Sequence, residues 1–128
     1  MDTKYRIIVV DDVEIMHKLV KGCLQDKYDI YSAYSANEVL DMVKYPEVEY
    51  HLVLLDLNMP ERNGFYVLKK FKSRGIDIPV IVFTASDDKD DFLKALKLGA
   101  VDYLVKDVAA ELLDYKIKKN IEKFYNEN

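Results

Sequence analysis

The chain is 128 residues long, half hydrophobic and a third charged, with a formal net charge of −4. That length suits one domain with its own core, and the composition is too apolar for a disordered segment. The acidic balance excludes the electrostatic footprint of a nucleic-acid binder, and the single cysteine, Cys23, excludes an internal disulfide and fits a reducing compartment.

The start, MDTKYRIIVV, lacks an apolar region followed by a cleavage site and does not read as a signal peptide. The first apolar run, YRIIVV (5–10), passes straight into Asp11 and Asp12. Adjacent carboxylates repel and are costly to desolvate, so a cation, a lysine or plain exposure to water must offset them. A helical pattern follows, with Met16, Leu19, Val20, Cys23 and Leu24 as its expected core stripe. The second run is YDIYSA (28–33). The helix after it opens on Ser35-Ala36-Asn37-Glu38, a capping box, and continues through Val39, Leu40 and Val43.

The third run, HLVLLDL (51–57), holds Asp56 at its end, and Phe65, Leu68 and Phe71 mark a helix ending near Gly75. The fourth, IPVIVFTA (78–85), ends on Thr84. The acids of DDKDD (87–91) suit the dipole of a helix start, and Phe92, Ala95 and Leu96 lead to Gly99, a C′ glycine. The fifth run, VDYLVK (101–106), ends at Lys106, and Leu113, Ile117, Ile121 and Phe124 form the last stripe. His17 and His51 show no metal-ligand spacing and are assigned no chemistry. None of the apolar runs is long enough to span a bilayer, so a soluble, cytoplasmic protein is expected. Strand alternating with helix five times predicts an α/β protein with a parallel sheet and right-handed crossovers.

In open parallel sheets, function collects beyond the carboxyl ends of the strands. There the pattern places Asp11, Asp12, Asp56, Thr84 and Lys106. Three carboxylates make a hard-oxygen site suited to Mg²⁺, a lysine adds a compact positive charge, and a hydroxyl can donate to an anionic oxygen. These are parts for holding a phosphoryl group, with one carboxylate as nucleophile. No glycine-rich phosphate loop follows the first run, which argues against a nucleotide or flavin protein.

The segments VVDD (9–12), LVLLDLNMPERNG (52–64), VFTAS (82–86) and DYLVK (102–106), in this order, resemble the receiver domain of two-component response regulators over nearly the whole chain. The resemblance implies a flavodoxin-like five-stranded parallel sheet, order 2-1-3-4-5, with helices on both faces. It implies one receiver domain over 1–128, with no output domain in this chain and a signalling role rather than an enzymatic one. It makes Asp56 the phosphoacceptor and Asp11, Asp12, Asp56 and the Asn58 carbonyl the Mg²⁺ site. Thr84 then matches the switch hydroxyl, Tyr103 the aromatic that moves with it, and Lys106 the lysine that bridges to the phosphoacceptor and then to the phosphate. Ala85 leaves room for the phosphoryl group.

The implied partners are a histidine kinase or histidine phosphotransfer protein and a downstream target. The fourth helix, fifth strand and fifth helix form the signalling face, and helices 4 and 5 offer a homodimer contact. One departure is Asp107, where the family usually has a proline, often cis. A cis non-proline bond costs roughly 2.5–4 kcal/mol, so trans is expected. The alternatives are a binding-only receiver and a Mg²⁺-dependent phosphohydrolase with an aspartate nucleophile. For the second, the expected D-x-D at the first strand is replaced by Asp11-Asp12-Val13-Glu14.

Overall fold

The structure, a computed structural model, describes residues 4–45 and 47–126. The reading of the N-terminus as lacking a signal peptide falls partly on residues 1–3, outside the described residues. Each apolar run becomes a strand: β1 (Arg6–Val10), β2 (Asp29–Ala33), β3 (Leu52–Leu55), β4 (Val80–Thr84) and β5 (Asp102–Val105). Between and after them lie α1 (Glu14–Leu24), α2 (Ala36–Lys44), α3 (Gly64–Ser73), α4 (Lys89–Lys97) and α5 (Ala110–Asn126). The strands pair in parallel in the order β2-β1-β3-β4-β5. This is the predicted flavodoxin-like order.

Successive strand residues point to opposite faces, and both faces are covered. Ile7, Val9, Leu52, Leu54, Ile81 and Phe83 pack with Val20 and Leu24 of α1 and Leu113, Ile117 and Ile121 of α5. Their neighbours Ile8, Val10, Val53, Leu55 and Val82 pack with Val39 and Leu40 of α2, Val67, Leu68 and Phe71 of α3, and Ala95 of α4. That double burial is why the central runs are continuously apolar. β2, an edge strand, is only half-buried over most of its length.

Local chemistry sets the helix limits. Ser35 caps α2 by accepting from the Glu38 amide at 3.1 Å. Glu38 reaches back to the Tyr34 amide at 3.0 Å, one residue earlier than a capping box predicts. Gly75 and Gly99 take positive φ, +65° and +108°. After each, the next residue's amide bonds back five residues, Ile76 to the Phe71 carbonyl and Ala100 to the Ala95 carbonyl, which closes both helices as Schellman turns.

The α1 stripe needs correction. Leu19 is 54% exposed and Cys23 is also exposed, while the buried positions are His17, Val20 and Leu24. The inward face is rotated toward His17 because that ring finds hydrogen-bond partners for both nitrogens, which removes the cost of burying it. In α4 only Ala95 is buried, and Phe92 and Leu96 lie at the surface. Phe124 is half-buried, where a core position was expected.

Candidate phosphoacceptor site

The register brings the polar strand ends to one edge. Val10 pairs with Leu55, so Asp11 and Asp56, each one residue further on, leave the sheet at the same level. Their amides extend the ladder: Asp11 donates to the Ala33 carbonyl (3.1 Å) and Asp56 to the Val10 carbonyl (3.0 Å). On the other side, Thr84 pairs with Val105, and Lys106 donates its amide to the Thr84 carbonyl at 2.8 Å.

One oxygen from each of Asp11, Asp12 and Asp56 lies within 4.8 Å of the others. Asp11 and Asp56 are buried and Asp12 is exposed. The Lys106 ammonium bridges the buried two, 2.7 Å from Asp11 Oδ2 and 3.2 Å from Asp56 Oδ2. Each of these carboxylates uses its other oxygen as a turn acceptor, Asp11 from the Val13 amide (2.9 Å) and Asp56 from the Asn58 amide (3.1 Å). Burial alone would lower the Lys106 pKa, but its contacts with Asp11 and Asp56 hold it above the ordinary value. The lysine therefore stays charged at neutral pH.

Three formal negative charges against one positive charge leave an excess of two. The donors are hard oxygens and the cleft opens to water at Asp12, so the set fits a small divalent cation such as Mg²⁺.

Thr84 is fully buried at the end of β4, and its Oγ1 accepts from the Ser86 amide and the Asn58 Nδ2, each at 3.4 Å. The Asn58 side chain thus reaches across the cleft. Tyr103 donates its hydroxyl to the Ser86 carbonyl at 2.9 Å and lies edge-on to Phe92. Gly64, the first residue of α3, packs against the backbone behind Asp56. A Cβ there would stand 2.5 Å from the Asp56 carbonyl oxygen. The Lys106–Asp107 bond is trans, as expected, since the described residues contain no cis peptide.

Two groups have partners that the sequence reading did not give them. Ser86 donates to Asp91 Oδ2 at 2.8 Å and so ties the β4–α4 loop to the first turn of α4. His17 is 1% exposed and lies directly beneath Asp11, with Nε2 2.7 Å from the Asp11 carbonyl oxygen. The partners of His17 lie at the end of β1 and on β2, out of reach of helical periodicity, and Ser86 joins its local contact to a distant one, the Tyr103 hydroxyl on its carbonyl.

The family model for the response regulator receiver domain matches residues 7–118. The chain belongs to that family, and so is a receiver domain of two-component signalling. Solved structures agree. The CheY-like receiver domain protein from Methanospirillum hungatei JF-1 is 26% identical with a TM-score of 0.88, the match covering 98% of this chain and 100% of that one. A receiver domain protein from Clostridium thermocellum is 28% identical with a TM-score of 0.87, over 97% and 99% of the two chains. The BeF3-activated DrrB receiver domain is 28% identical with a TM-score of 0.82, over 94% and 99%.

Proposed function

We propose that this domain takes a phosphoryl group onto Asp56 from a phosphohistidine on a kinase or phosphotransfer protein, and relays the change through α4, β5 and α5. The observation that carries this reading is the Lys106 bridge between Asp11 and Asp56 beside a third acid at the same strand ends.

Asp11, Asp12, Asp56 and the Asn58 carbonyl are the residues that would hold Mg²⁺. Bound there, the ion supplies charge neutralisation for the carboxylates and the transferring oxygens. An Asp56 oxygen attacks the phosphorus; the new O–P bond forms as the donor's N–P bond breaks, and the leaving imidazole keeps the electron pair. Lys106, already between two carboxylates, turns its charge toward the added phosphoryl oxygens. Thr84 Oγ1 gives up its weak contacts for a stronger donation to an anionic oxygen.

Movement of Thr84 is felt next at Ser86, whose carbonyl anchors Tyr103 and whose hydroxyl anchors Asp91 of α4. One added charge thereby biases the packing of the α4–β5–α5 face. Phe92, Leu93 and Leu96 of α4 and Leu112 and Tyr115 of α5 leave apolar surface on that face for a downstream partner or a second copy of the chain. A domain of this kind works in the cytoplasm, and among the described residues no helix is long and apolar enough to cross a membrane.

The reading is tested by adding Mg²⁺ with beryllium trifluoride, a tetrahedral stand-in for a phosphoryl group, and following backbone amide resonances. Shifts at Thr84, Ser86, Tyr103 and Lys106 are expected, and they should vanish without Mg²⁺ or in Asp56→Asn. An unchanged spectrum would favour a module that binds its partner without phosphorylation.

A further inference from the structure

His17 is a buried, fully hydrogen-bonded polar group that the phosphoryl chemistry does not use. Its Nε2 faces the Asp11 carbonyl oxygen at 2.7 Å, and its Nδ1 faces Ser32 Oγ of β2 at 2.9 Å. A carbonyl can only accept, so Nε2 carries the hydrogen; in the neutral ring Nδ1 then accepts from the Ser32 hydroxyl. The Tyr34 ring covers the imidazole with centroids 4.2 Å apart.

We propose that His17 is a positioning residue for the acid pair: its Nε2–H holds the peptide group joining Asp11 to Asp12, and so sets where the Asp12 carboxylate stands. This rests on the metal reading above. A peptide group is planar, so fixing the direction of the Asp11 carbonyl fixes the path by which the chain enters Asp12. The Asp11 amide is already held by Ala33 and its side chain by Val13 and Lys106, which leaves the carbonyl as the remaining free element. Among the described residues, no hydrogen bond or ion pair holds the Asp12 carboxylate itself. Its position therefore depends on its backbone.

Ser32 acts one step further back, by presenting a donor to Nδ1 and keeping the hydrogen on Nε2. Ligand-orienting groups of this kind change metal affinity even where they never touch the metal.

The test measures the Mg²⁺ dissociation constant from Mg²⁺-dependent amide shifts, with urea unfolding in parallel, for wild type, His17→Leu, His17→Gln and Ser32→Ala. His17→Leu removes the donor and should weaken Mg²⁺ binding about tenfold, at the low end for outer-sphere groups. Gln restores an N–H donor and should return the affinity to within about threefold of wild type, even if its stability stays low. Ser32→Ala should weaken binding roughly twofold to threefold, and carries the comparison if His17→Leu does not fold. Wild-type Mg²⁺ affinity in the folded variants, whatever their stability, would reduce His17 to a core-filling ring and overturn the proposal. Failure of the wild type to bind Mg²⁺ would overturn the metal reading and this inference with it.

Discussion

Gly64 shows how tightly one residue can constrain the position of Asp56. A Cβ at Gly64 would meet the Asp56 carbonyl oxygen at 2.5 Å and Leu57 Cα at 2.9 Å, both backbone atoms with little room to yield. Gly64→Ala should therefore cost about 1–3 kcal/mol, read as a lower urea midpoint, and should displace Asp56 from Lys106. Full stability in that variant would mean that the α3 start moves more freely than its contacts suggest. At this scale the sequence was a good guide to the charged residues. Asp11, Asp12, Asp56 and Lys106 stand at strand ends, and their meeting at one edge of the sheet was legible from the strand–helix alternation, while the roles assigned to them came with the family resemblance. His17 was not legible, because its burial is made acceptable by the Asp11 carbonyl and by Ser32 on another strand. Helical periodicity alone ranked Leu19 and Cys23 above it.

Among the elements, α4 is the helix through which the proposed function relays its signal, and its two ends are held by different chemistry. Asp88 caps its N-terminus, accepting from the Asp90 and Asp91 amides at 2.7 and 3.3 Å, and Gly99 closes its C-terminus. Asp88→Ala should cost about 1 kcal/mol of stability by urea denaturation, the usual loss for an N-cap. It should also raise amide exchange at Asp90 and Asp91, whose amides lose the Asp88 carboxylate as acceptor while the Ser86–Asp91 contact remains. Protection unchanged from wild type would place the anchor elsewhere. The limits of α3 and α4 were readable from Gly75 and Gly99, because only a positive-φ residue closes a Schellman turn cheaply. The orientation of α4 was not. With only Ala95 buried, its apolar residues serve an exposed face as much as the core, and periodicity does not separate those roles.

Across the molecule, α5 is held at both ends of its length by tyrosines. Tyr28 donates to Asp114 at 3.1 Å, and Tyr125 donates to the His51 carbonyl at 3.0 Å. Burial, then the nearby Asp114 carboxylate, pushes the Tyr28 phenol far above its ordinary value; burial, then Glu49 and Asp77, pushes Tyr125 up to about 12. Lys106 is raised as well, despite the opposing effect of burial, by Asp11 and Asp56. For all three the folded pKa lies above the unfolded one, so their contribution is complete below pH 10 and is lost as pH rises through the folded values. The urea midpoint should hold between pH 7 and 9 and fall steeply between about pH 10 and 12, less steeply in Tyr125→Phe. A flat profile would contradict the burial assigned to these groups. The same whole-molecule logic made the fold legible. Five apolar runs alternating with amphipathic helices leave few arrangements other than a covered parallel sheet, whereas the strand order came only with the family motifs.

In the proposed function Asp56 accepts a phosphoryl group in a site that Asp11, Asp12 and Lys106 prepare. The most direct measurement is intact-mass spectrometry after incubation with acetyl phosphate and Mg²⁺. The expected result is a single labile phosphoryl adduct that requires Mg²⁺ and is absent in Asp56→Asn. A wild-type chain that stays unmodified, both with acetyl phosphate and with a phosphorylated histidine phosphotransfer protein, would contradict it.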